Sequence, residues 1–370
     1  MIDTEPLFGP GDAAGAQLHR FRVFPRTGAE RWMLAATQRR PWHLKTWPRA
    51  NLRARAIYRT AWTLGALGLH LPHRLEQVAV APGSAYAQLQ AGFDRLGIFL
   101  GTPGPNRKIV VYAGRPDRAV FVKIPLGANS AALVAREAAA LAELAGDPDL
   151  APLVPAAGTI AGHLAIEDIE TAGVRHAALN LPELRRIHDL LERRSAGTRP
   201  LSALRADWQE GLTAPRAAHD AGRMAALGRT RAAANGWLDR LPPDLAVPCY
   251  MAHGDFTRWN VLRAADGRAR IIDWELFGPK PRWFDPIHYV VSHLLLVERS
   301  PAATVLDRLD RLGGTEPGAL WWRHVGLYFA YQSLYYTGVY GRQPDLHPQA
   351  LWQLAAWADC LDLLRHRPST

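Results

Sequence analysis

Two stretches of this chain combine residue types and spacing that can do chemistry: His253-Gly-Asp-Phe-Thr-Arg-Trp-Asn260 and Ile271-Ile-Asp273-Trp-Glu275. Phosphoryl transfer spreads negative charge over phosphate oxygens and leaves a protein little covalent work, so catalysis rests on positioning and electrostatics. Asp255 suits the acceptance of a proton from an attacking hydroxyl. Asn260, and Asp273 from a second short strand, offer the amide and carboxylate oxygens that hard Mg2+ prefers. Each part alone has a plainer reading. A lone His-Gly-Asp makes a tight turn, with His253 packed and Asp255 bonded to backbone, and Ile-Ile-Asp-Trp makes a strand end. In this order and spacing the catalytic reading prevails.

The step of five residues from Asp255 to Asn260 matches the H-R-D-L-x-x-x-N loop of protein kinases. On the H-G-D-x-x-x-x-N loop and the following I-D-W-E hairpin, the sequence resembles the aminoglycoside phosphotransferase and choline kinase-like family. Arg258 replaces that loop's usual proline and leaves Asp255 and Asn260 in register. The resemblance covers about residues 85–365 and is strongest at 250–290. It implies an α+β, bilobal protein-kinase-like fold, with a small antiparallel β-sheet N-lobe carrying one main helix and a larger, mostly helical C-lobe. It also implies ATP and Mg2+ as cofactors and a small-molecule hydroxyl as acceptor.

The resemblance extends to further residues. Lys123, in Val120-Phe-Val-Lys123, is expected to pair with Glu137 and face the α- and β-phosphates. The plainer alternative is an edge-strand lysine and a surface glutamate. The backbone of Glu167, Asp168 and Ile169 is expected to meet the adenine edge. Gly101, Thr102 and Gly104 fall where a phosphate-covering turn belongs, and the glycines would admit close backbone approach. Prolines 103 and 105 remove two donors there, and an ordinary hairpin turn is the alternative. Asp285 precedes Pro286 and reads as a helix N-cap. By resemblance it also braces the catalytic loop, with His253 in support. Glu275 falls on the same side as Asp273 of any strand through Trp274, in reach of a second metal or a substrate hydroxyl, or else on the surface. His188 and His293 read as packing histidines.

The elements that must position these groups follow from periodicity and turn residues. Short strands are predicted at 20–26 and 31–36, a helix from Asn51 to about Gly68, and strands at 96–101, 108–112 and 119–124. A helix capped by Asn129 or Ser130 runs to Gly146, followed by strands at 154–159 and 163–169. Beyond that the pattern is helical, at 181–194, 216–239, 286–298, 301–311, 319–336 and 348–365, with short strands around 260–273. The chain of 370 residues exceeds the roughly 250–300 that one core usually holds. The predicted division is a basic N-terminal extension at 1–80, an N-lobe at 81–169 and a C-lobe at 170–370, with a hinge near Glu167–Glu170.

Composition narrows the class. Hydrophobic residues at 48% and charged residues at 21% exclude wholesale disorder, and two cysteines exclude a disulfide framework or thiolate cage. The acidic start lacks signal-peptide features, and the apolar stretch 320–340 is broken by Arg323, His324 and Gln332, so a cytoplasmic protein is expected. Residues 20–59 hold eleven Lys/Arg against Glu30 alone, a surplus that equals the net charge of +10. That face, interleaved with Trp32, Trp42 and Trp47, suits peripheral contact with an anionic surface, or is simply solvated. No motif points to specific nucleic-acid binding. The stretch 319–342 carries Trp321, Trp322, Tyr328, Tyr331, Tyr335, Tyr336 and Tyr340 and no acid. A polycationic aminoglycoside would call for carboxylates, so a sugar or related polyol is the expected acceptor, with an aminoglycoside or amino-alcohol as alternative. A pseudokinase-like nucleotide-binding module and a scaffold working through the basic segment are the competing classes.

Overall fold

The computed structural model describes residues 3–367 apart from 28–29, 47–51, 103, 105, 170–174, 177, 213–216, 218, 265, 315, 317 and 344–345. The chain divides into two compact units, one of residues 1–176 and 262–275, the other of 177–261 and 276–370.

The first unit is built on an eight-stranded antiparallel sheet. Its strands are β1 (Gln17–Phe24), β2 (Trp32–Ala35), β3 (Arg74–Val80), β4 (Arg95–Phe99), β5 (Lys108–Arg115), β6 (Arg118–Pro125), β7 (Ala157–Ile160) and β8 (His163–Glu167), in the order β3-β1-β2-β4-β5-β6-β8-β7. Alternation sorts the strand residues into two faces. Ile109, Val111 and Ala113 of β5, with Val120, Val122 and Ile124 of β6, join Leu7 and Phe8 of α1 (Glu5–Phe8) and Tyr86 and Leu89 of α3 (Ala85–Gly92) in one buried core. The opposite face carries Tyr112, Phe121 and Lys123, with Tyr112 paired to Phe121 and Val110 to Lys123 across the β5–β6 ladder.

The N-terminal residues depart from expectation. Far from forming a separate extension, β1 and β3 continue the sheet through β2, which pairs with β4 at Trp32↔Phe99 and Met33↔Ile98. The physical reason is burial: Phe21, Val23 and Met33 complete the same core as Ile98 and Val111. The 3-10 turn Trp42–Thr46 lies on the Lys123 face, so close to β4 that a Cβ on Gly97 would meet His43 N at 2.3 Å. Trp42 stacks on Tyr112 at 5.8 Å and crosses Trp62 of α2 (Leu52–Ala66) at 5.3 Å, and Trp32 is buried. The aromatic half of the expected docking face is therefore packed inward, while Trp47 lies outside the described residues. Helix α4 (Ala128–Ala145) starts with Ser130 Oγ accepting from Leu126 and Gly127 N–H, and buries Leu133, Val134, Glu137 and Leu141. Arg175–His176 forms β9.

The second unit opens with α5 (Leu181–Glu192), whose capping box joins Asn180 and Glu183 reciprocally. Strand β10 (Ser195–Pro200), α6 (Leu201–Gln209) and α7 (Ala221–Leu238) lead to β11 (Ala246–Ala252), which pairs with β10. The chain then contributes β12 (Val261–Arg263) and β13 (Ala269–Ile271) to a small sheet with β9, in the order β13-β12-β9. It returns as β14 (Gly278–Pro281) on the other side of β11, followed by α8 (Phe284–His293), a π-helical turn Leu294–Glu298, α9 (Ala302–Gly313), α10 (Gly318–Gly341) and α11 (Pro348–Leu364). Apolar residues surround α10 on nearly every side, as expected of a central buried helix.

Candidate active site

In the first unit the site centres on Lys123. Strand β6 turns its side chain away from the main core toward α4, where the buried Glu137 meets it at 2.7 and 2.6 Å through its two oxygens. Asp273 Oδ1 accepts from the same ammonium at 2.9 Å. Burial alone would lower the Lys123 pKa. Asp273 and Glu137 outweigh it and hold the pKa above its ordinary value, so the ammonium stays charged. Burial raises the carboxyl pKa of Glu137, and Lys123 offsets part of that rise.

Asp273 has a left-handed backbone, φ 69°, a strained state that asparagine and aspartate tolerate best and that concentrates at functional sites. Buried Trp274 anchors the turn by donating Nε1–H to Ile271 O at 2.8 Å. Glu275 was expected on a continuing strand, yet Trp274–Leu276 is a 3-10 turn. The turn aims Glu275 at Lys108 of β5, with which it forms an ion pair. Glu137, Asp273 and Glu275 bring ligand-capable atoms within 4.8 Å of one another, an all-oxygen set of the kind that suits a hard divalent cation.

The other residues of this unit are held as follows. Gly101 turns at φ 76°, Thr102 Oγ1 accepts from Arg31 at 3.1 Å, and Arg107 N–H donates to Gly104 O at 3.2 Å. Glu167 and Asp168 N–H groups donate to Ala156 and Ala119 carbonyls, both at 2.9 Å, and Ile169 is buried. The buried Asp168 carboxylate has a partner that sequence reasoning did not supply: Lys45 Nζ at 3.0 Å, itself over the Tyr112 ring at 5.5 Å.

In the second unit, β11 delivers the His253–Asn260 loop. Gly254 has φ 87°, and a Cβ there would lie 2.4 Å from Leu276 O, so only glycine fits. His253 is buried, and its Nδ1 accepts from Asp255 N–H at 3.1 Å. Asn260 Nδ2 donates to Asp255 O at 2.9 Å and to its Oδ2 at 3.1 Å, which ties the two ends of the loop together. Arg258 stacks its guanidinium over Tyr289 at 5.7 Å. Asp285 is not the N-cap. Trp283 holds that position, and Asp285 lies inside the first turn of α8. Its oxygens accept from His253 N–H at 2.7 Å and Gly254 N–H at 3.0 Å, while its own N–H donates to Tyr250 Oη at 2.9 Å. Burial raises the Asp285 pKa, and His253 with the two amides works against it. One turn on, His288 Nε2 lies 3.1 Å from Asp255 Oδ1. Asn260 and Asp273 belong to different units. His188 packs against Tyr250 and Trp283, and His293 contacts Glu298 at 3.1 Å.

Residues 106–299 match the Phosphotransferase enzyme family. The chain belongs to that family. Its activity is therefore that of a phosphotransferase. Among solved structures it is similar to choline kinase LicA from Streptococcus pneumoniae, with 15% identity over 69% of this chain and 89% of that one and a TM-score of 0.44. It is also similar to spectinomycin phosphotransferase APH(9)-Ia in complex with ADP and spectinomycin, with 14% identity, 74% and 94% coverage and a TM-score of 0.44. A third is the ethanolamine kinase Pv091845 of Plasmodium vivax, with 13% identity, 76% and 88% coverage and a TM-score of 0.42. No curated protein matches the sequence. Among the described residues no helix is long and apolar enough to cross a membrane.

Proposed function

We propose that this phosphotransferase moves the γ-phosphoryl group of magnesium-bound ATP to a hydroxyl of a sugar or related polyol, with Asp255 as base. The observation that carries the reading is the Lys123 ammonium shared between Glu137 and Asp273. A charged lysine held on a strand by a buried helix carboxylate is the arrangement that fixes α- and β-phosphates in kinases. Asp273 and Asn260 would hold the magnesium ion, with Glu275 as a further oxygen, and the ion would screen the phosphate charge. Asp255 accepts the proton as the acceptor oxygen bonds to the γ-phosphorus, and the bond to the bridging oxygen breaks, leaving that electron pair on ADP. The backbone from the end of β8 at Glu167 through Ile169 is assigned to the adenine edge, and the Gly101–Gly104 segment to the phosphates.

The acceptor class rests on α10. Tyr331 and Tyr335 stack at 5.4 Å and 8°, Tyr335, Tyr336 and Tyr340 are half-buried, and Lys280 Nζ lies 5.0 Å above the Tyr331 ring. Aromatic faces beside a lysine suit a neutral or anionic ring bearing hydroxyls better than a polycation. The test is ADP release from Mg-ATP against sugars, polyols, aminoglycosides and amino alcohols. Sugars or polyols should stimulate turnover, and Asp255→Asn should lower kcat by about 10²–10⁴-fold. Stimulation by cationic acceptors alone would overturn the acceptor class. An Asp255→Asn protein as fast as the parent would overturn the base.

A further inference from the structure

The two oxygens of the Asp255 carboxylate meet two different donors. Oδ2 accepts from Asn260 Nδ2 at 3.1 Å, within the loop, and Oδ1 lies 3.1 Å from His288 Nε2, on α8. An ionised carboxylate can only accept, so Nε2 carries the ring hydrogen and donates it. His288 is itself fixed from behind. Its Nδ1 lies 2.8 Å from Tyr328 Oη and 3.0 Å from Gln332 Nε2, two buried groups one turn apart on α10. The Gln332 amide nitrogen can only donate, so Nδ1 offers its single lone pair and the ring hydrogen stays on Nε2. Burial, aided by Asp255 and opposed by Gln332, raises the Tyr328 pKa well above its ordinary value, so that hydroxyl keeps its proton. Asp285 and His288 thus sit one turn apart on α8: one holds the backbone of the catalytic loop, the other the carboxylate that the loop presents.

The Asp255 side chain is 32% exposed, and the last torsion of an aspartate is broad, so the loop alone leaves the carboxylate free to turn. A general base has to stay within about 2.6–3.2 Å of the proton it takes, and a misplacement of about 1 Å can cost about 10²-fold in rate. We propose that His288 is a positioning residue for phosphoryl transfer. Its Nε2–H, oriented from α10 through Tyr328 and Gln332, sets the carboxylate plane of Asp255 so that the acceptor hydroxyl meets a fixed lone pair. The His288 hydrogen does not leave; the transferred proton ends on Asp255. This inference rests on the reading of Asp255 as base.

The test compares His288→Leu, His288→Gln and Tyr328→Phe in the full chain. It reads ADP release from Mg-ATP with the best hydroxyl compound of the panel as acceptor, or with water where none turns over. His288→Leu should lower kcat by about 30–100-fold and leave the KM for ATP within about two-fold. His288→Gln, whose amide can still donate to Oδ1, should recover most of kcat. In an Asp255→Asn background His288→Leu should have no further effect, because the two act as one unit. Tyr328→Phe, which keeps the packing and removes one orienting hydroxyl, should give a smaller fall in kcat at unchanged KM, and it carries the test if the leucine variant does not fold. The inference is overturned if His288→Leu or a folded Tyr328→Phe turns over at the parent rate, if glutamine falls as far as leucine, or if His288→Leu costs the same in the Asp255→Asn background. Full activity of Asp255→Asn alone would instead remove the base assignment on which the inference stands.

Discussion

At the scale of single residues, the site mixes groups read directly from sequence with groups that only the fold brings in. His253, Gly254, Asp255 and Asn260 were legible because their constraints are local: a left-handed glycine, a loop-closing amide and a base at fixed offsets. Gly254→Ala should fold poorly and lose turnover, since the added methyl would lie 2.4 Å from Leu276 O in a backbone of φ 87°. Strain of that kind costs roughly 1–3 kcal/mol before the steric contact is counted, and urea unfolding measures it. His288 was not legible, because its partners on α10 lie forty residues and more away, although its place one turn after Asp285 gave a hint. Lys123→Ala should abolish turnover and also destabilise the protein by about 3–5 kcal/mol, because Glu137 is left buried without its cation. Lys123→Met combined with Glu137→Leu should recover most of that stability and none of the activity. Measuring unfolding and ADP release side by side separates the two roles.

At the scale of elements, the regular helices and the central hairpins followed from periodicity, and those that failed to appear were short or polar. Strand β3, with Arg74, Glu76 and Gln77 among its seven residues, shows only a weak alternation, and its register against β1 comes from the sheet edge rather than from its own pattern. The turn at Trp42–Thr46 had no signal of its own. Its role shows only where Lys45 reaches Asp168 and Trp42 covers Tyr112, on the same sheet face as Lys123. The Asp168 side chain is 0% exposed and that of Lys45 12%, so Lys45→Met should cost about 3 kcal/mol in urea unfolding, whereas a like change at an exposed arginine such as Arg39 should cost nearly nothing. A leucine at Asp168 in the Lys45→Met background should restore stability. Equal effects at Lys45 and Arg39 would mean that the buried ion pair does not organise this part of the sheet.

At the scale of the whole molecule, both units hold histidines that are kept neutral. Burial, with His70 and Arg22 adding to it, lowers His43 to about 3. Burial, with Arg282 and His324, lowers His188 to about 3, and burial with Arg282 and Arg323 lowers His324 to about 4. The unfolded chain takes up these protons near pH 6.5 and the folded chain does not, so their contribution is fully present above that pH and is lost as pH falls toward 4. At pH 5 each should cost about 2 kcal/mol, so urea midpoints should drop between pH 7 and pH 5, and His188→Gln should flatten the profile by about one proton. The family match begins only at residue 106, yet β4 borders β2 and the core runs through Leu7, Phe8, Phe21, Val23 and Met33. Cutting the chain at residue 80 would strip β4 of a hydrogen-bonded neighbour and present a raw edge to the next copy, a template for aggregation. Turnover and any surface attraction of the basic segment are therefore best separated by point changes at solvent-facing Arg20, Arg26, Arg39 and Arg40, because shortening the protein removes β1, β2 and β3 from the sheet that holds Lys123.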